Sequence, residues 1–270
     1  MDYKLPKLPK RNENSNKGTF GKVLNIAGSK YMPGAAYLSS VSALKVGAGY
    51  VELVSDDSVL NSVSAKSAEI VLAPIEKLAE LIGDATVIEI GCGLSTDKRE
   101  LFENVVNARV NQPLVIDADG LNILSNINCT FDNNVILTPH PKEASRLLGC
   151  GLDDILKNPE NSAMEITNRY NCITVLKLHK TVITSPDGRI YFNNSGNSAL
   201  AKAGSGDILC GMIAGLLSQK MEAFEAAVLG AYLHGKAGEL ASDDLSEYSV
   251  LASDLLNYIP IAIKSFTQNN

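Results

Sequence analysis

The chain alternates short runs of β-branched and apolar residues with longer stretches of helical periodicity, and this alternation constrains its fold more than any other feature. Seven strand-like runs are predicted at residues 23–27, 50–54, 70–72, 86–90, 114–117, 135–138 and 173–178. Helical patterns lie between them at residues 35–46, 75–82, 97–110, 142–148 and 162–170. This order is typical of βα units, so we expect an α/β fold with a mostly parallel central sheet.

After residue 178 the pattern changes to a hairpin, residues 181–185 and 189–192, turned by Pro186-Asp187-Gly188. The last third is predicted to be helical, at residues 207–218, 223–240 and 250–263. The chain has 270 residues, no linker-like stretch and no internal repeat. We therefore expect one domain covering residues 1–270.

The composition argues against two classes of partner. No window of 18 apolar residues is present that could span a bilayer. The N-terminus is polar and lacks the apolar region of a secretory signal, which makes a cytoplasmic location the default expectation. Lys and Arg number 24 against 30 Asp and Glu, a net charge of -6, which disfavours nucleic acid as a partner.

The cysteines and histidines give no metal-binding pattern. Five cysteines occur without a Cys-x-x-Cys pair, and the three histidines are scattered along the chain. This spacing predicts neither structural disulfides nor a zinc cage, and all five thiols are expected to be small buried groups. His234, on a helix of small and apolar residues, is likewise expected to be packed.

Four of the predicted strands are followed by loops rich in glycine or acidic residues. These loops cover residues 28–36, 91–94, 117–122 and 138–143. Each alone could be ordinary turn chemistry. The carboxyl ends of parallel strands meet at one edge of a sheet, so the four loops together predict a ligand cleft there.

The sharpest motif is Gly204-Ser205-Gly206-Asp207, where a Gly- and Ser-rich coil turns into a long apolar helix. Glycines let backbone N–H groups approach a phosphate, and the helix N-terminus adds the positive end of its dipole. Asp207 can then accept a proton from an attacking hydroxyl, although the dipole should make its carboxylate a poor base. The alternative is an Asp that merely stabilises a helix start, and the motif alone leaves both interpretations open.

Competing signatures are absent from the sequence. No Gly-x-x-x-x-Gly-Lys-Ser/Thr occurs, and the segment at Gly91 reads Gly-x-Gly-x-x-Thr. A P-loop NTPase and an ordinary dinucleotide dehydrogenase are therefore disfavoured. Gly-x-Ser-x-Gly is also missing, which disfavours an α/β-hydrolase.

The Gly204–Asp207 segment resembles the anion hole and catalytic Asp of the ribokinase-like superfamily. Together with GSKYMPGAA at 28–36, DADGLNIL at 117–124 and TPHPKE at 138–143, it resembles the NAD(P)H-hydrate dehydratase family, over about residues 18–256. The resemblance implies a ribokinase-like three-layer α/β/α sandwich. It also implies an enzyme that uses ADP or ATP to dehydrate the S-form of hydrated NADH or NADPH, releasing phosphate and AMP or ADP. The epimerase domain often fused upstream has no room here, so a standalone form is expected.

The resemblance also implies a role for each matching residue. The hydrated dinucleotide would be bound by Ala35, Ala36, Gly93, His140 and Asp207, with Asp207 catalytic. The adenine nucleotide would be bound by Lys177, Leu178, His179, Lys180, Thr181, Gly204, Ser205 and Gly206. Leu178 stands where the family usually has glycine, and Cys92 where it usually has proline.

Mg²⁺ is the expected cofactor. Glu143 is the candidate to reach the ion through water, because hard cations prefer carboxylate oxygen, with a helix-start carboxylate as the alternative. A homo-oligomer, a tetramer in the manner of the family, is also implied.

Two other functions remain open at this point. One is a small-molecule kinase of the same fold that phosphorylates a vitamin precursor. The other is a non-catalytic adenylate-binding module. Asp207 argues against the module, because a site that only binds gains nothing from a carboxylate facing phosphate. The 28–36 loop and the His140 motif favour the dehydratase over the kinase.

Overall fold

A computed structural model describes residues 4–269, and within them nine strands form one sheet. The strands are β1 (Lys22–Ile26), β2 (Tyr50–Ser55), β3 (Val71–Pro74), β4 (Val87–Ile90), β5 (Leu114–Ile116), β6 (Val135–Leu137), β7 (Ile173–Leu176), β8 (Val182–Thr184) and β9 (Ile190–Phe192). Their order in the sheet is β3-β2-β1-β4-β5-β6-β7-β8-β9. The pairs from β3 to β7 are parallel, and β7-β8 and β8-β9 are antiparallel. Each strand overlaps one predicted from the sequence.

The same residues form eleven α-helices. They are α1 (Pro33–Lys45), α2 (Asp57–Ser64), α3 (Leu78–Ile82), α4 (Arg99–Ala108), α5 (Ala118–Leu124), α6 (Pro141–Leu148), α7 (Leu152–Lys157), α8 (Pro159–Tyr170), α9 (Ser205–Ser218), α10 (Ala223–Leu245) and α11 (Ala252–Asn269). The sequence did not predict α2, α5 and α7, which have only six to eight residues each. So few residues give too few turns for a helical period to stand out.

The helices cover both faces of the sheet, which confirms the predicted three layers. Alternate strand residues face opposite sides, so Val23 belongs to the apolar core on the side of α1, α2, α9, α10 and α11, while Leu24 belongs to the core on the side of α3 to α8. Strands buried on both faces read as continuous apolar runs. Asn25 in β1 and Glu89 in β4 break this rule, since both are fully buried.

The strand order creates a crevice at the carboxyl edge of the sheet. Strands β1 and β4 are neighbours, but the chain leaves β1 towards β2 and β3 and then crosses back to β4. Such a switch point separates the two following loops and is the usual ligand site of an open α/β sheet. The four loops singled out in the sequence follow β1, β4, β5 and β6, which are adjacent in that order. The expectation that they meet at one edge is confirmed.

Close packing of α9 on α1 fixes the position of the Gly204–Asp207 motif. A Cβ at Gly211 would lie 2.0 Å from the backbone oxygen of Ser39, and one at Gly215 would lie 2.5 Å from that of Ala43. Any side chain at these two positions would push the helices apart. The glycines therefore hold the start of α9 close to the loop that follows β1.

The five thiols differ in burial. The burial expected of the thiols is observed at Cys92, Cys172 and Cys210, but Cys129 is only partly buried and Cys150 is exposed. The prediction is wrong for Cys150, because this residue follows the C-terminal glycine of α6, outside both apolar cores.

Among residues 4–269, no helix combines the length and the apolarity needed to cross a bilayer.

Candidate active site

The start of α9 is built to receive an anion. Gly204 precedes the helix with φ +93°, and a Cβ there would lie 2.6 Å from Leu38 and 3.0 Å from Ala252, so glycine is required on both counts. No side chain caps this helix end. The N–H of Ser205 donates to the carbonyl of Lys202, but those of Gly206 and Asp207 are available to a bound anion and carry the positive end of the helix dipole.

A cavity of about 1000 Å³ opens in front of this helix end. This is the upper end of the range for small-molecule sites, large enough for ligands of nucleotide size. It brings together ten of the residues singled out in the sequence: His140, Glu143, Lys177, Leu178, His179, Thr181, Gly204, Ser205, Gly206 and Asp207.

Four of the site residues predicted from the sequence do not line this cavity: Ala35, Ala36, Gly93 and Lys180. Ala36 has no exposed surface, and a Cβ at Gly28 would lie 2.9 Å from its Cβ. Gly93 is buried with φ +62°, and a Cβ there would lie 2.8 Å from that of Ala35. This close approach packs the loop after β4 against the start of α1. A direct role for these residues in binding the dinucleotide stays a prediction.

An ion pair lies beside the helix start. Nζ of Lys177, just after β7, is 2.7 Å from Oδ1 of Asp117, just after β5. A Cβ at Gly206 would lie 3.3 Å from this Nζ and 3.6 Å from Oδ2 of Asp117. Burial alone would lower the pKa of Lys177, but the carboxylates of Asp117 and Glu143 outweigh it and raise the pKa. Lys177 is therefore charged at neutral pH, next to the anion-binding amides.

Asp207 has the proton affinity of a general base. Burial raises its pKa to about 6, with a further contribution from the charge of Asp117. A hydrogen bond from Cys92 and the charge of Lys177 oppose this shift only in part. The shift is opposite in direction to the one expected from the helix dipole, and desolvation is its largest cause. A pKa near 6 leaves Asp207 ionised at pH 7 and able to accept a proton.

His140 and Glu143 form a reciprocal cap at the start of α6. Nδ1 of His140 accepts hydrogen bonds from the N–H groups of Lys142 and Glu143, and Oε2 of Glu143 accepts one from the N–H of His140. Burial and the charge of Lys177 lower the pKa of His140, so its ring is neutral at pH 7. Burial raises the pKa of Glu143 to about 7. Only Nε2 of His140 remains for other partners, and it lies 3.2 Å from Oε1 of Glu143.

The sequence did not predict one part of the cavity wall. Asn193, Ser195 and Gly196 line it after β9, in a polar run that could have signalled a site. His234 also reaches the cavity, where Nε2 lies 3.1 Å from Oγ of Ser205. Burial lowers the pKa of His234 to about 4. It is a buried neutral ring, as expected, and it holds the first residue of α9.

Comparison with known proteins identifies the family of this chain. Residues 23–261 match the family model described as NAD(P)H-hydrate dehydratase. The ADP-dependent (S)-NAD(P)H-hydrate dehydratase of Neisseria meningitidis is 39% identical over 254 residues, covering 91% of this chain and 84% of that protein. The bifunctional NAD(P)H-hydrate repair enzyme of Moorella thermoacetica is 36% identical over 97% of this chain. The alignment covers 52% of that enzyme, so the chain spans about half the length of this relative.

A solved structure shows the same architecture. It is the ADP/ATP-dependent NAD(P)H-hydrate dehydratase of Bacillus subtilis, co-crystallised with ATP and Mg²⁺, with a TM-score of 0.87 at 34% identity. The match covers 96% of this chain and 94% of the other, which confirms the predicted fold. Taken with the family model over residues 23–261, these similarities show that the chain belongs to the NAD(P)H-hydrate dehydratase family.

Proposed function

We propose that this protein uses ADP or ATP to dehydrate the S-form of hydrated NADH or NADPH, restoring the dinucleotide and releasing phosphate with AMP or ADP. One observation carries the proposal: Asp207, with a pKa raised to about 6, stands on the anion-binding first turn of α9 beside Lys177. Family membership supports the choice of substrate. The dinucleotide and adenine-nucleotide residues named from the sequence are part of the proposal.

The start of α9 would hold the phosphoryl group that is transferred. The amides of Gly206 and Asp207 would donate to its oxygens, and Lys177 would add a positive charge from the adjacent ion pair. Phosphoryl transfer needs positioning and charge stabilisation more than covalent help from the protein, and this arrangement supplies both. The stretch Lys177–Thr181 would then bind the rest of the nucleotide along the cavity.

Asp207 would start the reaction by taking the proton of the ring hydroxyl. The hydroxyl oxygen forms a bond to the terminal phosphorus, and the phosphorus–oxygen bond to the leaving nucleotide breaks, giving AMP from ADP or ADP from ATP. The ring nitrogen lone pair then expels the phosphate ester as inorganic phosphate. Loss of a proton from the neighbouring ring carbon restores the dihydronicotinamide. Hydroxide is a poor leaving group, and the phosphate ester replaces it with a good one.

The residues of the cavity fit a divalent cation bound through water. Glu143 faces the cavity, but Oε2 accepts from the backbone of His140 and Oε1 lies 3.2 Å from Nε2 of the same residue, so a water-bridged contact suits this carboxyl group better than a direct bond. Mg²⁺ bound to the nucleotide would neutralise phosphate charge. A homo-oligomer and a cytoplasmic location also remain predictions.

A coupled assay tests this function against a kinase. The protein is incubated with hydrated NADH and ADP or ATP, and dihydronicotinamide absorbance, phosphate and nucleotide are followed together. We expect the absorbance to rise in a one-to-one ratio with phosphate release, without a lasting phosphorylated product. Asp207→Asn should bind nucleotide normally yet lose about 10²–10⁴-fold in kcat, because the amide cannot take the proton. Nucleotide consumption without the rise, and a phosphorylated alcohol by mass spectrometry, would instead assign a kinase.

The pKa of Asp207 predicts an acidic limit to activity. The base must be ionised, so kcat/KM should fall about tenfold per pH unit below about pH 6. Asp117→Asn should move this acidic limb of the kcat/KM profile to lower pH. The substitution removes a negative charge that raises the pKa of Asp207, and it frees Lys177, whose positive charge lowers that pKa. The groups that act on Asp207 also include Asp119 and Cys92, which this variant leaves in place.

The pH profile of kcat/KM provides the check. Glu143→Gln is the control, because Glu143 also titrates near neutrality, with a pKa of about 7. The limb near pH 6 should persist in this variant. An unmoved or raised limb in Asp117→Asn would contradict the assignment of the limb to Asp207.

Gly206→Val should abolish nucleotide binding while the protein still folds. The added side chain would occupy the space between the helix start and Lys177, where a Cβ lies only 3.3 Å from Nζ. Gly83→Val is a matched control, since a Cβ at Gly83 meets nothing within 4 Å. Calorimetry measures nucleotide affinity in both. Unchanged affinity in a folded Gly206→Val protein would rule out the anion hole.

A further inference from the structure

Three buried side chains with metal-ligating atoms meet behind Asp207, and we call them the thiol–carboxylate cluster: Glu89, Cys92 and Cys210. All three are fully buried. One Oε of Glu89 and the two Sγ atoms lie within 4.8 Å of one another, and Sγ of Cys92 is 3.8 Å from Oε1 of Glu89. Nothing in the proposed dehydration uses Glu89 or Cys210.

The fold, rather than any local motif, assembles this cluster. Glu89 occupies a central strand and points to the same side as Val87, towards α1 and α9. Cys92 lies in the loop after that strand, and Cys210 in α9. The spacing of these residues along the chain gives no metal-binding signature, which is why the sequence predicted no such site.

One oxygen of the cluster lacks a hydrogen bond of ordinary geometry among the described residues. This atom is the buried Oε2 of Glu89, and Oδ1 of Asn25, the residue paired with Glu89 across β1 and β4, also lacks one. Side-chain hydrogen bonds from Cys210 and Ser39 to the Glu89 carboxyl offset the effect of burial on its pKa only in part. Leaving such atoms unsatisfied is costly, so an unpartnered buried oxygen calls for an explanation. Burial raises the pKa of Glu89 to about 8, so without a cation it holds a proton that could be donated to Asn25.

We propose that the thiol–carboxylate cluster binds one thiophilic divalent cation of the Zn²⁺ class. Two sulfurs and one carboxylate oxygen suit Zn²⁺ and not Mg²⁺, which prefers an all-oxygen set. Tetrahedral Zn²⁺ holds sulfur and oxygen ligands about 3.5–3.8 Å apart, given its bond lengths. The 3.8 Å between Cys92 and Glu89 already matches, and the remaining separations, at most 4.8 Å, need to close by about 1 Å.

Cys92 connects this cluster to the catalytic residue. Its Sγ also lies within 4.8 Å of carboxylate oxygens of Asp117 and Asp207, and Asp207 faces the cavity. Asp207 thus lies between the cluster and the cavity, and Asp207 or a water would be the fourth ligand. A carboxylate that coordinates the cation is not free to take a proton. With Asp207 as the fourth ligand, Zn²⁺ should inhibit the reaction, a consequence that rests on the proposed function.

The test uses Co²⁺ as a spectroscopic probe of the full-length, reduced protein without nucleotide. Wild type should take up one equivalent and show thiolate-to-cobalt charge-transfer absorption, which Zn²⁺ abolishes by displacement. Cys210→Ala and Glu89→Gln should each lower Co²⁺ affinity by more than the roughly 10–100-fold that loss of an outer-shell partner costs, since each removes a ligand itself. Cys172→Ala is the matched control, because Cys172 is an equally buried thiol in the other core. Its spectrum should equal that of wild type.

Thermal unfolding shows whether each variant is folded. Absence of charge-transfer absorption in folded wild type would overturn the proposal and leave Glu89 as a neutral acid that donates to Asn25. Retention of full Co²⁺ affinity by folded Cys210→Ala or Glu89→Gln would also overturn it. The readout is metal binding, so its result does not depend on whether the protein dehydrates hydrated NADH.

Discussion

The ion pair between Lys177 and Asp117 is the interaction on which the candidate site depends. It joins the ends of β7 and β5 across β6, with 2.7 Å between Nζ and Oδ1. Asp117 is almost fully buried, and removing one partner of a buried pair costs on the order of 3–5 kcal/mol because the other charge remains. Asp117 keeps Lys177 charged beside the start of α9 and also raises the pKa of Asp207. One pair thus contributes to both the phosphate contact and the strength of the base.

Two opposing requirements meet on the first turn of α9. Phosphate binding needs free N–H groups and the positive end of a helix dipole, and that same field weakens a carboxylate as a base. Proton transfer at neutral pH needs a carboxylate with a raised pKa. Burial of Asp207 reconciles the two, because desolvation raises its pKa to about 6 while the amides of the turn stay available. A single helical turn can therefore hold the phosphate and remove the proton.

Sequence patterns predicted the features that depend on local order. All nine strands and the Gly204–Asp207 helix start follow from apolar runs and turn residues, and adjacent parallel strands bring their loops to one edge. The segment after Asp117 was taken for a loop but begins α5, entered through Ala118 with φ +48°, which no local pattern foretells. The ion pair of Lys177 and the position of Glu89 beside Cys210 were out of reach, because only the folded sheet and helices bring them together.

The fate of one oxygen atom tests the central claim most directly, namely that Asp207 activates the ring hydroxyl for phosphoryl transfer. Hydrated NADH carrying oxygen-18 in that hydroxyl is turned over with unlabelled nucleotide in unlabelled water, and the released phosphate is analysed by mass spectrometry. The account predicts one oxygen-18 atom in each phosphate, because the hydroxyl oxygen leaves the ring bound to phosphorus. Unlabelled phosphate, with the label in water, would contradict it and show that nucleotide hydrolysis and loss of the hydroxyl are separate events.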